Sequence, residues 1–209
     1  MISAIILAGG KKEKELESLT DLSSKAFIKL NGRYMIEYVI DSLASSGLFE
    51  KTVLVLPKEY PKSIITPNTY VSFSGNSMIE SLASGIEKLT TEDSVLIFPC
   101  DIVLLKPEII ISFADSCRQR DLELGYGYVP ESCHTGRFKN IRHTYASLKE
   151  GRFCGSGLFY MKPKIFPKLK DLSIKITKLR KSPVKLAGLF GFAFLLKLLF
   201  RQLTVKEIE

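Results

Sequence analysis

The stretch "AIILAGGKKEKELESLTDLSSKAFIKLNG", residues 4–32, decides the fold. A short apolar strand over residues 2–7 runs straight into Gly9-Gly10. A charged insert follows, and then Lys25 stands before another apolar run. Glycine has no β-carbon, so its backbone amides can approach phosphate oxygens closely and left-handed turns are open to it. The same letters also describe a tight turn and a solvated loop. Neither GxxxxGK[ST] nor GxGxxG occurs, so the stretch is neither a Walker loop nor the dinucleotide fingerprint.

The pattern continues outward from this stretch. Residues 35–46 carry apolar side chains at 35, 36, 39, 40 and 43, a helical spacing stopped by Gly47. "KTVLVLP" is a buried strand closed by Pro57, and "YVSF" is a short third strand. "SMIESLASGIEKL" is helical, with 78, 79, 82, 86 and 89 on one side. "SVLIFPCD" is a fourth strand ending at Asp101, and a helix follows with Pro107 in its first turn. "LELGYGYV" reads as a strand. This alternation predicts an α/β fold: a Rossmann-like, mostly parallel sheet flanked by helices, with right-handed crossovers. After Pro130 the pattern changes to two extended runs around Lys149-Glu150-Gly151, a hairpin signal. From Lys162 the chain is helical and basic. The expectation is one domain over 1–209, with an α/β part at 1–129 and a partly helical part at 130–209.

The formal net charge of +8 favours anionic partners such as nucleotides, phosphorylated metabolites, nucleic acid or acidic lipid. Nine of the 30 basic residues lie between Lys162 and Lys185, so the excess is partly local. No nucleic-acid motif or aromatic-basic interleaving is present. No basic region precedes the first apolar run, so no signal peptide is expected and the cytoplasm is the expected compartment. The apolar segment Leu186–Phe200 is shorter than the roughly 20 residues of a spanning helix. It reads as a buried or partner-facing helix. A membrane-surface role for 178–201, with basic residues beside an apolar face, is the alternative.

Cys100, Cys117, Cys133 and Cys154 are widely spaced, and only Cys133-His134 are adjacent. A zinc site usually draws on close ligand pairs, so these read as reduced, buried or incidental thiols. His134 and His143 are the only histidines. His143 reads as a structural or surface histidine, or as one that lines a binding site.

Ligands of an open parallel sheet bind at the strands' carboxyl ends, beside the point where strand order reverses. Three marked features fall at such ends: Gly9-Gly10, Ser74-Gly75-Asn76 and Asp101. A carboxylate there suits Mg²⁺, which takes oxygen ligands and shares them with phosphates; it equally suits a helix cap. Lys25 fits a polyphosphate as a point charge, or else an exposed strand edge.

Taken together, "AIILAGG", the lysine before "NGRYMIEYVIDSL", "GNSMIESLASGI" and "VLIFPCDIVLL" resemble the nucleotidyltransferase superfamily. Its members include sugar-phosphate nucleotidylyltransferases, cytidylyltransferases and molybdenum-cofactor guanylyltransferases. "IRHTYASLKEGRFCGSGLFYMKP" and "RKSPVKLAGLFG" extend the likeness to the guanylyltransferase-like subgroup. The resemblance implies a glycosyltransferase-A-type fold. It implies transfer of a nucleoside monophosphate from an NTP to a small phosphorylated or carboxylate acceptor, with Mg²⁺ as cofactor and release of pyrophosphate. It assigns backbone contacts to base and phosphates to Leu7, Ala8, Gly9 and Gly10. Lys25 would meet the phosphates, Ser74, Gly75 and Ser81 would read the base, and Asp101 would hold the metal. Gly155 and Ser156 would lie at the acceptor, with His143 beside it on one of its two readings, so that 1–129 would be the nucleotide-binding part and 130–209 the acceptor-side and helical part.

The chain departs from that pattern in three places. The family loop reads AGGxGxR, whereas Gly10 is followed by "KKEKELESLTDLSS". Lys11, Lys12 and Lys14 stand to replace the arginine's charge, against Glu13, Glu15 and Glu17, which must point to solvent or bind Mg²⁺. Ser24 stands where proline is usual. After residue 163 the only aspartate is Asp171, in a basic helical stretch, so the family's second metal carboxylate is missing. That leaves a truncated chain, or Mg²⁺ held by Asp101 and phosphates alone. A non-catalytic nucleotide or sugar-nucleotide sensor is the rival reading.

Overall fold

The structure, a computed structural model, describes residues 2–10, 14–89, 94–136, 141, 143–179, 197 and 202–208. Its first strands are β1 (Ile2–Leu7), β2 (Lys29–Leu30) and β3 (Arg33–Tyr34), followed by helix α1 (Met35–Ser46). Then come β4 (Lys51–Leu56), β5 (Thr69–Phe73), α2 (Met78–Ile86), β6 (Ser94–Pro99) and α3 (Pro107–Gln119). β7 (Leu124–Pro130), β8 (Ala146–Leu148), β9 (Gly151–Met161) and α4 (Phe166–Leu179) complete the main elements. The main sheet runs β5-β4-β1-β6-β9-β7, with β8 paired to β9.

β1, β4, β5 and β6 are parallel, and β9 joins β6 antiparallel. β1 lies at the centre, buried from Ile2 to Ile6. That is why its sequence is a continuous apolar run and not an alternating one: both faces are covered. Side chains alternate across a strand, so the two faces take different partners. Ala4, Ile6, Leu54 and Phe98 belong to one core with Ile36 of α1 and Ile110 of α3. On the other face α2 crosses Ile5 and Val55.

That crossing shows which side of α2 faces inward. Ser81 and Gly85 are its buried residues, whereas Met78 is 76% exposed. A β-carbon on Gly85 would stand 3.0 Å from Val55 Cγ2 and 3.1 Å from Ile5 Cγ2. The helix therefore sits close to the sheet on its small residues, and its apolar stripe at 78, 79, 82 and 86 is left exposed or half-buried. α1 ends as expected: Gly47 takes the left-handed conformation at φ +66° and its N–H bonds the Ala44 carbonyl.

The chain forms two compact units: Met1–Gly125 with Gly157–Phe166, and Tyr126–Ser156 with Pro167–Glu209. The first holds the parallel strands and α1 to α3. In the second, β8 and β9 form the expected hairpin, with Leu148 opposite Gly151. Its turn is held by Leu203, whose carbonyl accepts from Lys149 N–H at 2.9 Å. Among the described residues, no helix is long and apolar enough to cross a membrane. Most of the 178–201 segment lies outside the described residues.

Candidate active site

β1 pairs with β4 on one side and β6 on the other, so strand order reverses between β1 and β6. The loop after β1 leaves from that crevice. Ala8 N–H still donates to Val55 O at 2.9 Å, and Ser74 N–H donates to Leu56 O at 2.9 Å. The loop thus passes over the end of β4 and reaches the residue that follows β5. The approach is very close there: a β-carbon on Gly9 would lie 2.0 Å from Ser74 Cβ. Gly9 is required for that packing, whereas Gly10 is exposed and has open space around it.

Lys14–Leu19 is a short 3₁₀ helix with no buried residue, and Glu15 and Glu17 are both exposed. Lys11, Lys12 and Glu13 lie outside the described residues.

The chain then returns through Ser24, which the sequence reading treated only as a departure. Ser24 is buried; its hydroxyl donates to Ala8 O at 2.6 Å and accepts from Ala26 N–H at 3.2 Å. It caps the single turn Lys25–Phe27 and fastens it to the end of β1. The available signal was a serine directly before a short apolar helical run. The cap sets Lys25 at the sheet's carboxyl edge, where its ammonium pairs with Asp101 Oδ2. Both side chains keep about 30% exposure, 27% and 32%, so the pair faces a site open to solvent. Lys25 and Asp101, 76 residues apart in sequence, are the two charged groups the sequence singled out, and the fold brings them together.

Next to Asp101, the Cys100 thiol is buried. Burial above all, then the negative charge of Asp101, push its pKa from 9.0 up to about 12, with Lys25 acting in the opposite sense. It stays protonated at neutral pH and supplies no charge to the site.

The Ser74-Gly75-Asn76 turn is built from its own side chains. Gly75 N–H donates to Ser81 Oγ at 3.1 Å, and that hydroxyl donates to Ser77 O at 2.9 Å. Asn76 N–H donates to Glu80 Oε2 at 2.8 Å. Ser81 is therefore engaged in holding the turn, and Ser74 and Gly75 present the turn's surface. Gly155 and Ser156 lie in the second unit, where the Tyr126 hydroxyl crosses Gly155 so closely that a β-carbon would meet it at 1.6 Å.

The chemistry of Asp101 fits Mg²⁺: a half-exposed carboxylate at a strand end offers a hard oxygen ligand. Among the described residues, no group of three potential metal ligands includes Asp101. A metal here would complete its shell with phosphate oxygens and water, as Mg²⁺ commonly does.

A sheet with a glycine turn, a lysine and an aspartate at its switch point is a scaffold for binding phosphorylated nucleotides. The chain belongs to the MobA-like NTP transferase domain family, which it matches over residues 4–172. A 2-C-methyl-D-erythritol 4-phosphate cytidylyltransferase from Clostridium beijerinckii is 34% identical over 106 residues, 46% of this chain and 45% of that protein. The chain thus spans about half the length of the curated relatives it matches. A hypothetical transferase from Thermus thermophilus has the same fold at a TM-score of 0.83 and 33% identity, covering 99% of this chain and 85% of that one. CMP:2-keto-3-deoxy-manno-octonic acid synthetase complexed with CTP matches at a TM-score of 0.63 and 10% identity, over 87% and 86% of the two chains. At that identity the likeness concerns the fold.

Proposed function

We propose that the chain transfers a nucleoside monophosphate from an NTP to a small phosphorylated or carboxylate acceptor, releasing pyrophosphate. The observation that carries this is the Lys25–Asp101 pair at the carboxyl edge of β1 and β6, beside the Gly9 turn. An ionised acceptor oxygen attacks the α-phosphorus in line and the bond to pyrophosphate breaks, so no general base is needed. The reaction then depends on positioning and on absorbing charge. Lys25 swings from Asp101 to the phosphates as a point charge, and the Gly9 and Gly10 amides meet the same oxygens. Asp101 would hold Mg²⁺, which would neutralise phosphate charge when bound. Leu7 lines the nucleotide by its backbone, Ala8 is buried with its N–H on Val55 O and its carbonyl on Ser24 and so holds the loop's start in place, and Ser74 and Gly75 face the base across a turn fixed by Ser81. Gly155 and Ser156 are assigned to the acceptor. Four free thiols support a cytoplasmic setting.

A nucleotide or sugar-nucleotide sensor is the second reading. It is favoured by the lack of a second metal carboxylate grouped with Asp101 among the described residues. The test is a thermal-shift panel of ATP, GTP, CTP and UTP, each with Mg²⁺ and with EDTA, followed by a pyrophosphate-release assay against candidate acceptors. A ligand at 100 times its dissociation constant adds about 2.7 kcal/mol of stability. A shift for one nucleotide that EDTA abolishes supports the site. Pyrophosphate release supports the enzyme over the sensor. No shift with any nucleotide overturns the transfer reaction and leaves the sugar-nucleotide sensor ahead of it.

A further inference from the structure

The second unit holds a cluster that the nucleotide site does not use. His134 follows the short turn Glu131–Cys133, His143 lies at the other end of the same connection, and Cys154 is on β9. One ligand atom from each of the three lies within 4.8 Å of the others. We propose that His134, His143 and Cys154 bind a borderline-soft divalent metal ion, Zn²⁺ by donor chemistry, with one coordination position open.

Three observations support this. The first is ligand spacing. Cys154 Sγ and His134 Nε2 are 3.7 Å apart. Two ligands of one tetrahedral zinc, at about 2.3 Å for sulfur and about 2.0 Å for nitrogen, stand roughly 3.6 Å apart. His143 is exposed and its ring lies beside that of His134, with centroids 4.3 Å apart, so a small side-chain rotation brings its nitrogen into range.

The second is the group behind the ligand. A metal-bound histidine normally donates its other ring N–H to an oxygen, which fixes tautomer and ring direction. His134 directs Nε2 toward the thiol, and its Nδ1 lies 3.4 Å from Tyr145 Oη. In the tautomer whose Nδ1–H donates to the Tyr145 hydroxyl, Nε2 is the bare nitrogen that faces the cluster. Tyr145 is in turn overlaid by the Arg152 guanidinium, 4.5 Å from its ring centroid.

The third is the frame. Arg152, two residues before Cys154, bonds Glu131 at 2.5 Å, three residues before His134. This pair pins the histidine's segment to the cysteine's strand without any metal. The N₂S donor set separates this site from Asp101: imidazole and thiolate select zinc-like ions, whereas a carboxylate with phosphates suits Mg²⁺.

The test uses the full chain, stripped with chelator and titrated with Co²⁺ as an optical probe, then with Zn²⁺. The expected result is one Co²⁺ per chain, with a thiolate-to-cobalt charge-transfer band and the visible bands of tetrahedral cobalt, displaced by Zn²⁺. His143→Asn, on an exposed residue, is expected to weaken binding by more than about 100-fold with an unchanged circular dichroism spectrum. Tyr145→Phe is expected to weaken it about 10-fold, the usual effect of losing such a partner. Cys154→Ser is expected to remove the charge-transfer band. Absence of that band in the wild type, or a His143→Asn protein that titrates like wild type, overturns the proposal. No nucleotide enters the readout, so the outcome is separate from that of the proposed transfer reaction.

Discussion

The Ser24 hydroxyl donates to the Ala8 carbonyl at 2.6 Å, joining the end of β1 to the turn that carries Lys25. Between them lie Gly9-Gly10 and the charged insert, and this bond, with the burial of Ala26 and Phe27, fixes where the lysine returns. Ser24→Ala leaves a buried carbonyl and the Ala26 N–H without their partner. It is expected to cost about 1–2 kcal/mol of stability. It should also weaken Mg²⁺-dependent NTP binding by more than Thr does at the same position, since threonine keeps the hydroxyl. Denaturant melts and nucleotide titrations of the two variants check this; equal nucleotide affinity in both would remove Ser24 from the site's support.

Gly9 and Gly10 are adjacent in sequence but opposite in their tolerance. A β-carbon on Gly9 would lie 2.0 Å from Ser74 Cβ, while one on Gly10 meets nothing within 4 Å. Gly9→Ala is expected to destabilise the fold by about 1–3 kcal/mol, as overpacking does, whereas Gly10→Ala, with open space and no positive φ, is expected to leave stability unchanged or raise it by up to about 1 kcal/mol. Ser74→Gly should restore part of the loss in the double mutant. A double-mutant cycle with no coupling between positions 9 and 74 would contradict the packing described.

Lys25 and Asp101 form a half-exposed pair, so removing it changes stability by no more than about 1 kcal/mol. Nucleotide binding should respond far more. Loss of a charge-assisted contact costs about 1.5–3 kcal/mol, so Lys25→Met should weaken NTP binding by roughly 10- to 150-fold. Asp101→Ala should leave a folded protein whose nucleotide binding no longer depends on Mg²⁺. In the Lys25→Asp, Asp101→Lys double variant the ion pair is restored but binding should stay lost. Tight NTP·Mg²⁺ binding by Asp101→Ala, measured by calorimetry, would reject the site assignment.

These predictions rest on features of unequal visibility in the sequence. β1, β4 and β6 were legible because a strand covered on both faces must be a bounded apolar run, and each ends in a glycine, proline or aspartate. The Lys25–Asp101 pairing followed only as far as the strand order was known: two residues 76 apart meet because β1 and β6 are neighbours. The inward side of α2 was not legible from hydrophobicity, because the helix meets the sheet on Ser81 and Gly85, whose small size permits close approach to Ile5 and Val55, and of the expected stripe only Leu89, past the helix's end, is buried. The histidine–cysteine cluster was hidden for a similar reason. Its three ligands come from separate positions with no close pair, and it takes the β8–β9 hairpin to return Cys154 to His134. Ser24 was visible as a cap for a short helical turn, but its bond to Ala8 depends on tertiary structure alone.

Cys100 gives a pH dependence with a definite sign. In the folded chain burial, then the charge of Asp101, hold its thiol near 12 against an ordinary 9.0. Below about pH 9 both folded and unfolded chains carry the proton, so the thiol leaves stability unchanged with pH. Above that, the unfolded chain releases a proton that the folded chain retains. Unfolding is then favoured by about 1.4 kcal/mol for each pH unit, until the folded thiol itself ionises. Cys100→Ala removes this contribution: its overall stability falls for loss of packing, but its decline above pH 9 should be shallower by that amount. Urea melts of both proteins at half-unit steps from pH 8 upward measure the two slopes. At neutral pH the same environment should keep Cys100 unreactive toward an alkylating reagent while the exposed Cys133 is modified, which mass spectrometry of the intact fold reads directly. Parallel stability curves above pH 9, together with ready alkylation of Cys100, would mean that the thiol beside Asp101 is not sealed from water and that the floor of the proposed site is open.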